Sequence, residues 1–178
     1  MKQLCLISLL LLLKITAYSA VENTNWNTGC LLVGDDVIQS EIQFSKNQMS
    51  INYTAYEKEG CQIPYIIYQE NYFYKTQDKN LNLQTDSITY QALSDEVARA
   101  MNTIAFCGFI DWQKNIVKDV AGLLCDDRHL PLKGEVIYSI IEQNESELQI
   151  GESFGKYDGH TEQFRHQKFG DLIWNKKN

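Results

Sequence analysis

The sequence predicts a mainly β protein: an antiparallel sandwich or barrel, the barrel being the expected form, with one helix packed against it. Three observations carry that prediction. Short segments place apolar residues at every second position, turn-forming residues separate them, and a single stretch has helical spacing. Only two prolines and scattered glycines interrupt the chain, with no repeat, low-complexity tract or linker, so one domain is expected.

Taken in order, Glu41 to Phe44 alternates, and Met49, Ile51, Tyr53 and Ala55 share one face opposite Ser50, Asn52 and Thr54. Ser45 to Gln48 between them makes a hairpin. Pro64 to Tyr68 and Asn71 to Lys75, rich in Ile, Tyr and Phe, predict two further strands, and Ser87 to Ala92 another. Glu135 to Glu142 and Glu147 to Ile150 predict a second hairpin, which Gly151 ends. The helix begins at Ser94, an N-cap residue, with Asp95 and Glu96 in its first turn where negative charge suits the dipole. Val97, Ala100, Met101 and Ile104 give its apolar stripe, and Gly108 sets its end near Phe106. A second helical turn is expected around Lys114 to Ala121.

The N-terminus has the three-part layout of a secretory signal peptide: Lys2, the apolar stretch Leu4 to Leu13, then small residues at Ala17, Ser19 and Ala20. The apolar run is too short to span a bilayer. Cleavage after Ser19 places Ala17 and Ser19 at the small-residue positions, whereas cleavage after Ala20 would put bulky Tyr18 there. Cys5 leaves with the leader, and residues 20–178 form the mature domain. Secretion or delivery to the periplasm follows. Without Lys2 and Lys14, 14 basic residues face 23 acidic ones, a net charge of −9. A chain this acidic repels phosphates, which argues against nucleic acid. The four remaining cysteines, Cys30, Cys61, Cys107 and Cys125, read as two disulfides with three possible pairings. Cys30–Cys61 with Cys107–Cys125 closes short, separate loops and is the expected set. A zinc site would need C-x-x-C or His spacing that the chain lacks.

Gly151-Glu152-Ser153-Phe154-Gly155 matches the G-x-S-x-G elbow of serine hydrolases, with His160 and His166 downstream. That chemistry needs a strand, a tight turn and then a helix. Here turn formers follow, so a glycine-flanked turn is expected and catalysis by Ser153 is the third reading. His129, His160 and His166 show no metal spacing, and Asp35-Asp36 and Asp126-Asp127 lack the alternating ligands of a calcium loop. No phosphate loop or cofactor motif is present. Asn52-Tyr53-Thr54 and Asn144-Glu145-Ser146 fit the N-glycosylation pattern; sugar on Asn52 would require its strand face to point outward.

Three blocks of residues are shared with a known family. The first is Trp26-x-x-x-Cys30, Phe44, Tyr53-x-x-Tyr56 and Cys61-x-x-Pro64. The second is Cys107-Gly108-x-x-Asp111-Trp112, Lys118-Asp119-Val120 and Cys125. The third is Tyr138-x-Ile140, Leu148 and Gly151. Together they resemble the extracellular domain of the family named for down-regulation by the adenomatosis polyposis coli pathway, which includes membrane-anchored inhibitors of Wnt signalling. The resemblance implies a lipocalin-like, bag-shaped antiparallel barrel, closed or partly open, with an apolar cavity for a lipid or acyl chain, and supports the same disulfide pairing. The animal proteins resemble two such barrels plus an anchor. This chain has one domain, and Leu31-Leu32-Val33 stands where the family has Glu-x-Arg after the cysteine. Fold and apolar-ligand binding are therefore carried over, and Wnt inhibition is not.

The leading expectation is non-catalytic binding of a small apolar ligand, a fatty acid or lipid, with Phe44, Ile51 and Tyr53 lining the cavity. Trp26 would plug one end of the barrel and Trp112 would pack near Cys107–Cys125. The alternative is a secreted module with a filled core that acts on a protein partner through its surface.

Overall fold

The computed structural model describes residues 21–34, 36–58 and 60–177. The expected leader with Cys5, and Asp35, lie outside the described residues. In chain order the strands are β1 (Asn25–Val33), β2 (Asp36–Ser45), β3 (Gln48–Lys58), β4 (Gln62–Gln77) and β5 (Asn80–Ala92). Helix α1 (Asp95–Thr103) follows, then β6 (Val117–Asp119), β7 (Leu124–Cys125), β8 (Arg128–His129), β9 (Val136–Gln143), β10 (Glu147–Glu152), β11 (Lys168–Phe169) and β12 (Trp174–Lys176). Eight of them close an antiparallel ring in the order β1, β2, β3, β4, β5, β9, β10, β12 and back to β1. Closure removes the unpaired edges that an open sheet of this length would present.

The alternation that marks these strands in the sequence is the alternation between barrel interior and solvent. Ser40, Ile42 and Phe44 of β2, Met49 and Ile51 of β3, and Glu70, Tyr72 and Tyr74 of β4 are buried. The β2–β3 hairpin turns through Lys46 and Asn47 with Phe44 opposite Met49. The segments Pro64 to Tyr68 and Asn71 to Lys75, expected as two strands, are one continuous strand, β4. Ser87 to Ala92 is the second half of β5. In β5 the inward residues run Leu81, Leu83, Thr85, then Ile88, Tyr90, Ala92. One extra residue sits between the runs, where the register with β4 shifts past Asn71/Tyr72. This bulge keeps both runs facing inward although their period breaks.

Helix α1 is capped as expected: the Ser94 hydroxyl accepts from the Val97 N–H at 3.1 Å. It ends at Thr103, not Phe106, because Ala105 and Cys107 take left-handed backbone (φ 50° and 53°) that no helix continues through. Asn102 then holds the returning chain by accepting from the Trp112 N–H at 2.6 Å and donating to the Trp112 carbonyl at 3.0 Å. The helical turn expected at Lys114 to Ala121 is absent. That segment contributes β6, which satisfies the free edge of β5 opposite Thr89 to Gln91.

Two apolar cores result. One fills the lower barrel with Trp26, Phe44, Met49, Tyr74, Leu81, Leu148 and Trp174. The second gathers Ile88, Ala92, Ala98, Met101, Trp112, Val120 and Leu130 around the Cys107–Cys125 bridge. Trp26, 1% exposed, belongs to the first, and Trp112 packs beside Cys107 and Cys125 in the second. Cys30–Cys61 joins β1 to the start of β4. Among the described residues no helix is long and apolar enough to cross a membrane.

Replacing Cys107 and Cys125 together by alanine removes the clamp on the second core. Stability should fall by about 2–5 kcal/mol, read as a lower midpoint in denaturant titration, while far-ultraviolet circular dichroism still reports the sheet.

Candidate functional site

Inside the barrel, walled largely by side chains of the first core, lies a half-open hollow. A cavity of about 510 Å³ is walled by Ile51 and Tyr53 from β3, by Tyr68, Glu70 and Tyr72 from β4, and by Leu83 from β5. Ile137 and Ser139 from β9, Ile150 to Glu152 from β10, Ser153, His166, Gly170 to Leu172, Trp174 and Arg128 complete the wall. Of the three residues expected to line a cavity, Ile51 and Tyr53 do so. Phe44 does not: it is 1% exposed and packs edge-on against Tyr74, ring centroids 5.1 Å apart, in the filled lower core. Its position nearer the β2–β3 turn places it below the hollow.

Register determines which groups meet. Tyr53 lies opposite Tyr68, and Tyr68 opposite Tyr90, so their rings line up at 5.7 and 4.6 Å. Phe106 and Trp112 extend the row into the second core at 5.0 and 6.1 Å. Glu70, opposite Ile51 and Ile88, is an inward carboxylate on a central strand. Tyr68 donates its hydroxyl to Glu70 Oε1 at 2.6 Å, and the Tyr72 hydroxyl lies beside it. Arg128 Nη2 stands 3.9 Å from the same oxygen, carried there by the β7–β8 turn at Asp126 and Asp127. Burial, with Glu70 adding to it, pushes the Tyr53, Tyr68 and Tyr72 hydroxyls above the ordinary phenol value. They therefore remain protonated donors at neutral pH. Trp174 Nε1 donates to Ser40 Oγ at 3.0 Å, and Ser40 in turn faces the Tyr53 hydroxyl.

The opposite wall is built around His166. Its Nδ1 lies 3.0 Å from the Gly151 carbonyl and 3.0 Å from Ser139 Oγ, and its Nε2 lies 3.5 Å from Ser153 Oγ. Both flanking glycines are required by this packing. A Cβ on Gly151 would sit 2.8 Å from His166 Cβ and 2.9 Å from Ser139 Oγ; one on Gly159, at φ +78°, would sit 2.6 Å from His166 Nε2. The first glycine of the G-x-S-x-G match thus makes room for the imidazole. After Ser153 the chain makes a tight turn, with Phe154 bridging Tyr157 and no helix. Among the described residues no carboxylate hydrogen-bonds His166: Nδ1 meets a carbonyl and a hydroxyl. His160 is exposed and pairs with Glu135 at 3.1 Å. His129 is also exposed, and Asp36 accepts from the Tyr65 hydroxyl at 2.8 Å. Among the described residues no three His, Cys, Asp or Glu side chains gather as a metal-holding group. Asn52 lies on the outward face of β3, and Asn144 Oδ1 accepts from the Ser146 and Glu147 N–H groups in the β9–β10 turn.

Glu70, Arg128 and His166 were missed as site residues in the sequence. The signal for Glu70 was present: Ile66, Tyr68, Glu70, Tyr72 and Tyr74 keep an unbroken period of two. Arg128 and His166 carry no local signal, since only the tertiary fold brings them to the cavity.

Burial lowers the pKa of His166 below its ordinary 6.5, against the opposing pull of the Asp158 and Gly151 carbonyls. The unfolded chain therefore binds a proton more readily than the folded one, and this contribution to stability is lost as the pH falls through 6.5 toward the folded value. NMR should place the His166 titration below pH 6.5. The denaturation midpoint should drop on acidification from pH 7.5, and His166→Gln should flatten part of that drop.

No protein-family model matches this chain, and no curated protein matches it.

Proposed function

We propose that this is an exported, non-catalytic protein that holds one small, largely apolar ligand of lipid class inside its barrel. The single observation that carries the reading is the cavity of about 510 Å³ in a closed eight-stranded ring, with an apolar wall of Ile51, Leu83, Ile137, Ile150 and Leu172. Filled cores leave few voids larger than a water molecule, so a hollow of this size beside two packed cores suits an occupant. Burying a tail here is favourable by about 0.8 kcal/mol per methylene. The blocks between Trp26 and Gly151 that resemble the adenomatosis polyposis coli down-regulated family support the same reading.

Two disulfides suit an oxidising compartment outside the cytoplasm, as does the expected leader. Ser153 is read as a turn residue that joins the His166 clasp. It stands at the outer limit of hydrogen-bond distance from Nε2, and Nδ1 of His166 bonds a carbonyl and a hydroxyl where a catalytic base would bond a carboxylate.

The test is extraction of the purified oxidised protein with organic solvent, followed by mass spectrometry, and titration of the stripped protein with a fluorescent acyl probe. A stoichiometric lipid-class molecule, or saturable one-to-one uptake, is expected. Ile137→Trp should fill the hollow and weaken uptake at least ten-fold while leaving the thermal midpoint within a few degrees. Tyr53→Ala should weaken uptake more than it lowers stability. Clean protein that takes up no probe would remove the carrier reading.

A further inference from the structure

We propose that the ligand carries a positive charge: the barrel takes a cationic amphiphile, an ammonium group on an apolar tail, and Glu70 is the residue that reads the charge. This rests on the cavity reading above and deepens it.

The argument begins with a cost. A carboxylate on the inward face of a central strand must be paired or hydrogen-bonded to be tolerated. Glu70 is only 8% exposed, yet its one cationic neighbour among the described residues, Arg128, stands 3.9 Å away with a side chain 67% exposed. The phenol of Tyr68 hydrogen-bonds the carboxylate and holds it in place, with Tyr72 beside it, but neither neutralises it. Replacing Glu70 by an apolar residue of similar size would make a better core, so the carboxylate reads as a functional group kept at the expense of stability.

Charge around the hollow has the same sense. Among the described residues, Glu70, Glu152 and Asp171 line it against Arg128. Lys168, 3.1 Å from Glu152, still leaves carboxylates in the majority. Burial keeps His166 neutral near pH 7, so it adds no positive charge. A fatty-acid carboxylate entering this space would meet repulsion from Glu70, whereas an ammonium would meet its complement. The stacked rings of Tyr53 and Tyr68 add negative π surface beside the carboxylate, which favours a cation again. Arg128 is the displaceable stand-in. Its side chain is 67% exposed, so an incoming ammonium can take its place at Glu70 and send the guanidinium outward into solvent.

The experiment compares three probes that share one tail: dodecylammonium, dodecanol and dodecanoate. Each is titrated below its micelle concentration into the oxidised protein at neutral pH and followed by tryptophan fluorescence and calorimetry. Dodecylammonium should bind at least ten-fold more tightly than either of the others. Glu70→Gln, which keeps the shape and the acceptor for Tyr68, should abolish that preference, and Arg128→Ala should leave ammonium binding equal or tighter. Equal or tighter binding of dodecanoate or dodecanol, or a preference that survives in Glu70→Gln, would overturn the inference and leave the cavity reading standing. Failure of all three probes to bind would overturn both. If Glu70→Gln does not fold, as judged by circular dichroism, the ranking of the three probes on the unaltered protein decides.

Discussion

The structure depends on a change of partner along β5. One edge of that strand pairs with β4 throughout. The other edge pairs with β9 from Asn80 to Gln84, and with β6 from Thr89 to Gln91. Between them, Thr85 exchanges backbone bonds with Glu135 and Gly134, and Ile88 accepts from Val120. These bonds bridge the fork, yet the ring is held shut only along the lower part of β5. Above the fork β9 has departed, and the inward side chains of β4 and β5 would face water. The chain between β5 and β9 answers this constraint by folding back over Ile66, Tyr68, Ile88, Tyr90 and Ala92 as the second core. The Cys107–Cys125 bridge ties that cover together, and its β7–β8 turn delivers Arg128 to Glu70.

The hollow persists because its wall is polar at two places. Around Glu70 three phenols and a guanidinium need hydrogen-bonding or ionic neighbours, and around His166 two hydroxyls and a carbonyl do. Neither group can collapse onto an apolar surface without losing its partners, which costs about 1–3 kcal/mol for each buried polar atom left unmade. The C-terminal segment is held in the same manner: Arg165 donates to the carbonyls of Leu81 and Ser139, and the His166 N–H to the carbonyl of Tyr138. These bonds close the wall opposite β4 where only the short strands β11 and β12 are available.

Much of this fold is legible in the sequence, and the exceptions have physical causes. The β2–β3 and β9–β10 hairpins, the Ser94 cap and both disulfides follow from local chemistry: alternation across a turn, a hydroxyl at a helix start, cysteines that close short loops. Strand β1 was hidden because Asn25, Asn27 and Gly29 are poor strand formers, and a bulge between Asn27 and Cys30 breaks the alternation. Strand β12 has three residues, too few for any period to show, and is a strand only because β1 and β10 flank it. Lys114 to Ala121 has residues that a helix would accept, but the unpaired edge of β5 outweighs that weak preference.

The most instructive exception is Gln69-Glu70. In the sequence this polar pair divides two apolar segments and reads as a break between strands. In the fold it is the middle of β4, with Gln69 outward in hydrogen bonds to Ser50 and Asn71, and Glu70 inward against the cavity. Glu70 keeps the period of its strand but breaks its apolar character, and a carboxylate that stays buried and hydrogen-bonded there costs stability that packing alone would not demand. The cavity lies where that break occurs. Local disagreement between pattern and burial therefore located the site more sharply than the aromatic residues did, since most of those serve the cores: Phe44 lies in the lower core, and the row from Tyr90 to Trp112 joins the hollow to the disulfide-bound cover.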